Sequence, residues 1–584
     1  MINRILPASL VLSTLLLAVP AANAQTSAAA PEASTGLQAA SEPVLGRTRM
    51  VVTANPHASA AARDILRAGG SAIDATIAAQ MVLNLVEPQS SGIGGGAFIV
   101  HFDNGSRIVT TYDGRETAPK LAKPNRFQDE TGVPIPWREA VFSGRSVGVP
   151  GVLAALELAH KQHGKLPWAD LFEPAIRLAR DGFEVSPRLN GLLASMGPDA
   201  FFPAARAYFF DDAGAPRPAG YLLKNPDLAD TLERIAAEGP DAFYLGDIAR
   251  DIVGAVQNAP RMPGDMTLLD LSEYVAKVRE PVCSRYRRRT VCGMGPPSSG
   301  GLAVSETLSI LNSGAVGQTM SAAALHRIAE AEKLAFADRD RYIADSDFVT
   351  VPEKGLLDPA YIAERRALID PEKAMEKAAP GNPPMPEPAT NGDDASHEKP
   401  GTSQVSIVDD DGNAVSMTTT IESAFGARLL VRGFLLNNEL TDFSFRDKDD
   451  DGAPIANRVE PGKRPRSSMA PTMVFAENGH LELVLGSPGG SRIIPYVVKG
   501  VIASIDWGMN PQAVAALPNF GSRNGPFEIE EGYEGAPYIP LLEERGQTVR
   551  AATMTSGLNI IRVLPDGTLE GGTDPRREGE ALAD

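Results

Sequence analysis

Cysteine is nearly missing from this chain: 584 residues include two, Cys283 and Cys292. Two thiols without matched histidines cannot build a structural zinc site. Histidine is scarce as well, with seven residues and no metal-ligand spacing among them, so no metal is expected. Aromatic residues make up 6% of the chain. Positive charge is in deficit, leaving a net charge of −18. A polyanion binder needs a basic surface, so nucleic acid is excluded as a partner. Long apolar runs are missing beyond the first, so no membrane span is expected in the mature chain. That first run, residues 5–19, follows the positively charged MINR and precedes Ala22-Asn23-Ala24. Charge, short apolar run and small-x-small site together read as a secretory signal peptide over residues 1–24. The mature protein is then expected in a periplasm or the medium.

What is abundant is glycine (55), proline (47) and apolar residues (43%), which suits a large, loop-rich α/β enzyme. Residues 25–46 are rich in Ala, Ser, Pro and Glu and are expected to be disordered. A globular region begins near Met50. Residues 57–88 read as two Ala-rich helices broken at Gly69-Gly70, and SSGIGGGAFIVHF (90–102) as a glycine loop feeding a strand. Helical periodicity recurs at 152–163, 166–181, 225–238 and 322–341. PVCSRYRRRTVCG (281–293) looks like a two-stranded hairpin, and in an oxidising compartment Cys283 and Cys292 could be joined across it. From about Pro371 the chain turns Pro-, Asn- and charge-rich, a composition that should not pack. It ends abruptly at Thr402, where TSQVSIV, the turn DDDGN and AVSMTTTI alternate as two strands. A mobile segment running straight into a core strand makes sense if the chain is cut there.

Six motifs stand in one order: YDGRETAP (112–119), PPSSGG (296–301), GTSQVSIVDDDGNAVSMTTTI (401–421), FLLNNELTDFS (434–444), KRPRSSMAPT (463–472) and GSPGGSRII (486–494). On these the chain resembles the γ-glutamyltransferases, from about Met50 to the C-terminus and most densely over 402–492. The resemblance implies an N-terminal-nucleophile hydrolase: an αββα sandwich of two stacked, mostly antiparallel sheets. It implies self-cleavage between Gly401 and Thr402 into a large subunit ending at Gly401 and a small subunit, 402–584, that form one heterodimer. The implied reaction is attack on a γ-glutamyl amide such as glutathione, then transfer of the acyl group to water or to an amino acid or peptide amine. No cofactor is implied.

The chemistry of these residue types agrees. A threonine hydroxyl is a poor nucleophile until a base takes its proton. At a chain terminus Thr402 would carry its own base, an α-amine with pKa of about 7.7–8, near working pH as general-base catalysis requires. Before cleavage the same hydroxyl can attack the preceding carbonyl and give an ester that water opens. Taken alone, Thr402 would read as an ordinary β-strand threonine. Thr420 matches a family threonine that hydrogen-bonds the nucleophile. The resemblance assigns the backbone N–H groups of Gly489 and Gly490 to an oxyanion; alone they would read as a plain turn. Arg115 matches the arginine for the donor's α-carboxylate, which two parallel N–H bonds would hold, with Ser467 and Ser468 adding hydroxyls. Glu439 and Asp442 would take the donor's ammonium.

The chain departs from the pattern in two places. Glu422 stands where many members carry asparagine, and the stretch 444–463 lacks the tyrosine that many carry in a lid. Two other signals fail on context. Gly92-Ile-Gly94-Gly-Gly96-Ala97 imitates a dinucleotide fingerprint but precedes a strand instead of opening a helix. The Asp447–Gly452 run imitates an EF-hand loop, but its twelfth position is Arg458. A rival of the same fold is an acylase cutting glutaryl or cephalosporin side chains. A more distant one is a non-catalytic periplasmic binding protein.

Overall fold

The structure, a computed structural model of the chain, describes residues 42–386, 391–394, 396, 398, 399 and 401–584. The signal-peptide segment, 1–24, lies outside them. Two seven-stranded sheets organise the described chain. One orders Glu580–Ala583, Met50–Thr53, Thr402–Val408, Ala414–Thr420, Gly96–Asp103, Ile108–Gly114 and Lys277–Arg279. The other orders Val44–Gly46, Leu569–Thr573, Asn559–Val563, Leu481–Gly486, Thr472–Phe475, Arg289–Gly293 and Val282–Tyr286. All neighbours in both sheets pair antiparallel. Each sheet combines strands from both sides of the Gly401–Thr402 bond.

Alternation of side chains along the strands sets the layers. Val405, Ile407, Val415 and Met417 face outward onto the helices Pro56–Arg67, Ala72–Val86 and Val152–His163. On the far side, Val474, Leu483 and Leu485 meet the helices Gly300–Leu311, Ala322–Tyr342 and Ile493–Ile505. Met50, Val52, Phe102 and Val408 pack between the sheets against Met473, Val484 and Ile561. The result is the αββα sandwich that the resemblance implies.

Towards the Thr402 end this inter-sheet layer turns polar. Gln404 accepts from the Thr418 hydroxyl (2.7 Å), the Ser416 hydroxyl donates to the Leu485 carbonyl (2.9 Å), and that of Ser406 to the Asn559 carbonyl (3.0 Å). Buried hydrogen bonds fix sheet against sheet with a directionality that apolar packing lacks.

Two compositional expectations are corrected. Residues 44–46, placed in a disordered leader, form an edge strand paired with Leu569–Gly571; backbone pairing needs no apolar pattern. The described residues after Pro371 pack as well. Ala378 is buried in the helix-side core. The Gly381 N–H donates to Asp338, the Met375 N–H to Glu330, and Glu398 is buried against Arg339. Hydrogen bonds and ion pairs to the helix Ala322–Tyr342 hold them, and neither is visible in hydrophobic periodicity.

Cys283 and Cys292 face each other across the hairpin and are joined by a disulfide. The hairpin is the edge of the sheet that does not carry Thr402. Alkylation of the folded, unreduced protein is therefore expected to label neither cysteine. Cys283→Ser should cost about 2–3 kcal/mol of stability for so short a loop. Labelling of both thiols would rule the bond out.

Candidate active site

Thr402 opens its strand and Thr420 closes the next, directly opposite. Strand alternation turns both hydroxyls to the inter-sheet side, where they stand 3.4 Å apart. The Thr420 hydroxyl donates to the carbonyl oxygen of Gly401 at 2.7 Å and accepts from the Glu422 N–H at 2.8 Å. That carbonyl belongs to the bond preceding Thr402, so the Thr420 hydroxyl already polarises it. The Thr402 carbonyl accepts from Arg577 at 3.3 Å.

The backbone at Gly401 runs against the next turn so closely that a Cβ there would lie 2.0 Å from the Glu422 carbonyl oxygen. No residue but glycine fits. Glu422 itself has φ of +75°, a costly conformation for a residue with a Cβ. It is held by the Thr420 hydroxyl on its N–H and by Asn438 on its carboxylate. The Asn438 side-chain oxygen also accepts from the Ser423 N–H. Asn437 ties the same turn to the Gly94 and Gly148 carbonyls.

Arg115 directly follows the Ile108–Gly114 strand and is fully buried. Its guanidinium pairs with Glu439 and, at 2.6 Å, with Asp442, and donates to the backbone carbonyls of Pro465 (3.1 Å) and Arg466 (2.8 Å). Burial opposes its charge, and the surrounding carboxylates more than restore it. Three buried carboxyl groups, Glu116, Glu439 and Asp442, stand about this guanidinium, and a fourth, Glu422, lines the same cavity. Burial raises the pKa of every one of them, and Glu422, also facing Glu439, is pushed up to about 8. Glu439 Oε2 and Asp442 Oδ1 are buried and receive no N–H donor of the chain, and the Glu439 carboxyl lies within hydrogen-bonding reach of the Glu116 and Asp442 carboxyls. A surplus of buried acid with open acceptor positions is a setting for a cation carrying several N–H donors.

Ser467 accepts from the Met469 N–H at 3.2 Å. Ser468 donates to the Glu398 carboxylate at 3.0 Å and accepts from Arg339 at 2.9 Å. Gly489 and Gly490 have φ of +143° and +58°. Gly490 borders the same cavity as Thr402, Thr420, Arg115 and Asp442, while Gly489 lies against Tyr496. The segment just before Gly401 enters this cavity too: Glu398 and Lys399 line it, and the Glu398 carbonyl accepts from the Ser491 N–H at 3.2 Å.

The sequence reading missed Arg339, Arg466, Glu398 and Arg577. Arg339 lies in a helix with many charges, and no local signal sets it apart from Arg341. The KRPRSSMAPT motif did contain Arg466, without a role for it.

The chain matches the family profile described as Gamma-glutamyltranspeptidase over residues 58–584. It is 37% identical over 558 residues to the glutathione hydrolase proenzyme of Escherichia coli (strain K12), covering 93% of this chain and 92% of that one. It is 35% identical over 552 residues to the Acylase ACY 1 proenzyme of Pseudomonas sp. (strain SE83), covering 93% and 94%. Among solved structures, cephalosporin acylase from Bacillus halodurans superposes with a TM-score of 0.81 at 27% identity, covering 94% and 98%.

Proposed function

The chain belongs to the γ-glutamyltranspeptidase family, and from that premise we propose that it is an exported, self-cleaving γ-glutamyltransferase and glutathione hydrolase with Thr402 as its nucleophile. The Thr402 hydroxyl attacks the Gly401 carbonyl carbon, whose oxygen accepts from Thr420. The peptide bond becomes an ester, water opens it, and Thr402 is left with a free amine. In the mature enzyme that amine takes the hydroxyl proton while the oxygen attacks the γ-carbonyl of the donor. The leaving amine departs with a proton, and water or an acceptor amine then takes the γ-glutamyl group from Thr402. Gly489 and Gly490 are assigned to the oxyanion. The donor's α-carboxylate goes to Arg115, Ser467 and Ser468, and its ammonium to Glu422, Glu439 and Asp442. Export is inferred from residues 1–24, and the disulfide suits that compartment.

The observation that carries this reading over a glutaryl or cephalosporin acylase is the surplus of buried acid, Glu116, Glu439 and Asp442, about the Arg115 guanidinium. A glutaryl group brings no cation to it; a γ-glutamyl group brings an ammonium. The test is kinetic, on γ-glutamyl and glutaryl 4-nitroanilides across pH. A carboxyl whose pKa is raised in the folded protein is favoured in its neutral form. Its contribution to stability is full below its ordinary pKa and is lost as the pH rises through about 8. Binding of an ammonium runs the other way, because it needs the anion. KM for the γ-glutamyl anilide is therefore expected to fall as the pH rises towards about 8, while KM for the glutaryl anilide does not fall. Parallel pH profiles for the two donors would contradict the ammonium site.

Thr420 has a separable role in self-cleavage. A hydrogen bond to an oxygen gaining charge is worth about 1.5–3 kcal/mol, so Thr420→Val should slow the appearance of two chains roughly ten- to a hundredfold. Thr420→Ser, which keeps the hydroxyl, should restore most of the rate. A time course on denaturing gels reads both. Equal rates for valine and wild type would remove Thr420 from this step.

A further inference from the structure

One carboxylate already lines the cavity that Thr402 lines, and it belongs to the chain itself. Glu398, three residues before Gly401, turns its side chain into a buried basic recess. Arg339 pairs with both of its oxygens, at 2.5 Å to Oε2. Ser468 donates to Oε2 at 3.0 Å, and Arg466 lies 3.4 Å from Oε1. The recess is well built. The Arg339 Nε–H donates to Ser299 at 3.0 Å, and the Ser299 hydroxyl donates to the Ser467 carbonyl at 2.7 Å. Asp340 holds the other face of the guanidinium at 2.7 Å, and Asp394 holds Arg466 at 3.0 Å. Ser468 links this recess to the Arg115 side, because it lines the same cavity as Arg115 and Thr402 while accepting from Arg339.

Resting on the γ-glutamyltransferase reading above, we propose that Arg339, with Ser468 and Arg466, forms a second arm of the acyl-site carboxylate pocket, filled by Glu398 in the uncleaved chain and by the donor's α-carboxylate in the mature enzyme. Arg115 alone is poorly placed to serve that carboxylate. Its guanidinium already meets Glu439, Asp442 and two backbone carbonyls. A carboxylate has four lone-pair positions and can be shared between two guanidinium groups. Glu398 marks where one oxygen pair is received. It is tethered there only while residue 401 is joined to residue 402; once that bond is cut, its segment ends in a free terminus and a soluble carboxylate can displace it. Arg339 thus becomes a specificity determinant for donors with a carboxylate at the acyl end.

The experiment compares three 4-nitroanilides on the processed full-length enzyme. The γ-glutamyl compound has carboxylate and ammonium, the glutaryl compound only the carboxylate, and the 4-aminobutyryl compound only the ammonium. Arg339→Gln is expected to raise KM for the first two by roughly tenfold or more and to leave the third nearly unchanged. A uniform loss across all three, or no loss, overturns the proposal. Because removing a buried arginine can prevent folding, a second measurement uses the uncleaved chain. In a Thr402→Ala background, Glu398→Ala leaves Arg339 and Arg466 without that counter-ion. The melting temperature should drop, and millimolar glutarate should restore it while butylamine does not. No rescue by glutarate overturns the proposal. If the wild type hydrolyses none of the three anilides, the reading of the enzyme fails, and the glutarate rescue still decides the pocket.

Discussion

Thr402→Ala is expected to remain a single chain and to release no nitroaniline from γ-glutamyl 4-nitroanilide. Wild-type protein is expected to run as two chains, the smaller reading Thr-Ser-Gln-Val from its N-terminus. The expectation follows from local geometry. The Thr402 hydroxyl is buried at a strand start, 3.4 Å from the Thr420 hydroxyl, which donates to the carbonyl that must be attacked. The close approach of Gly401 to Glu422 fixes that carbonyl in place. Alanine keeps the strand and the packing and removes the one oxygen that can form the ester, so no slower route through the same residue remains. Thr402→Ser keeps that oxygen and should still cleave. Edman sequencing and intact mass settle the matter; cleavage of Thr402→Ala at the same bond would disprove the nucleophile.

Much of this was legible because it is written in period and punctuation. TSQVSIV and AVSMTTTI alternate with period two around a DDDGN turn, and they form adjacent strands in register from Thr402↔Thr420 to Val408↔Ala414. The Ala-rich pair broken at Gly69-Gly70 became the helices Pro56–Arg67 and Ala72–Val86. The glycine run at 92–96 has a packing reason: a Cβ on Gly95 would lie 2.0 Å from the Thr420 carbonyl oxygen. Its resemblance to a dinucleotide fingerprint was a coincidence of close backbone contact. What stayed hidden was packing by charge. Arg339 and Arg341 look alike in sequence, yet the first is sealed against Glu398, Ser299 and Ser468 while the second pairs with exposed Asp393. Nothing in a Pro- and Asn-rich stretch announces that Glu398 will be buried, because its partners come from a helix about sixty residues upstream and from a loop about seventy downstream. Hydrophobic periodicity records which face of an element is dry. It does not record which buried ions meet.

Arg115 is the residue at which these two kinds of information join, and its replacement has the second large expected effect. Removing one partner of a buried charge pair costs about 3–5 kcal/mol, because the other is left uncompensated. Arg115→Ala is therefore expected to lower kcat/KM for γ-glutamyl donors by about two to three and a half orders of magnitude. Self-cleavage should continue, since Thr402, Thr420 and Gly401 make their contacts without Arg115. Arg115→Lys should rescue little. A single ammonium cannot meet Glu439, Asp442 and the carbonyls of Pro465 and Arg466 in the fork that a guanidinium offers. Asp442→Asn probes the ammonium end of the same arrangement. Asp442 lines the same cavity as Thr402, and its Oδ1 receives no N–H donor of the chain, so loss of its charge should fall on donors that bring an ammonium. Wild-type enzyme should prefer γ-glutamyl to glutaryl amides, and Asp442→Asn should narrow that preference by weakening the first more than the second. Steady-state kinetics on the two anilides, with gels of each variant, separate these effects. Equal turnover of both donors by wild type would mean that the acid surplus serves no ammonium, and would put the acylase reading ahead.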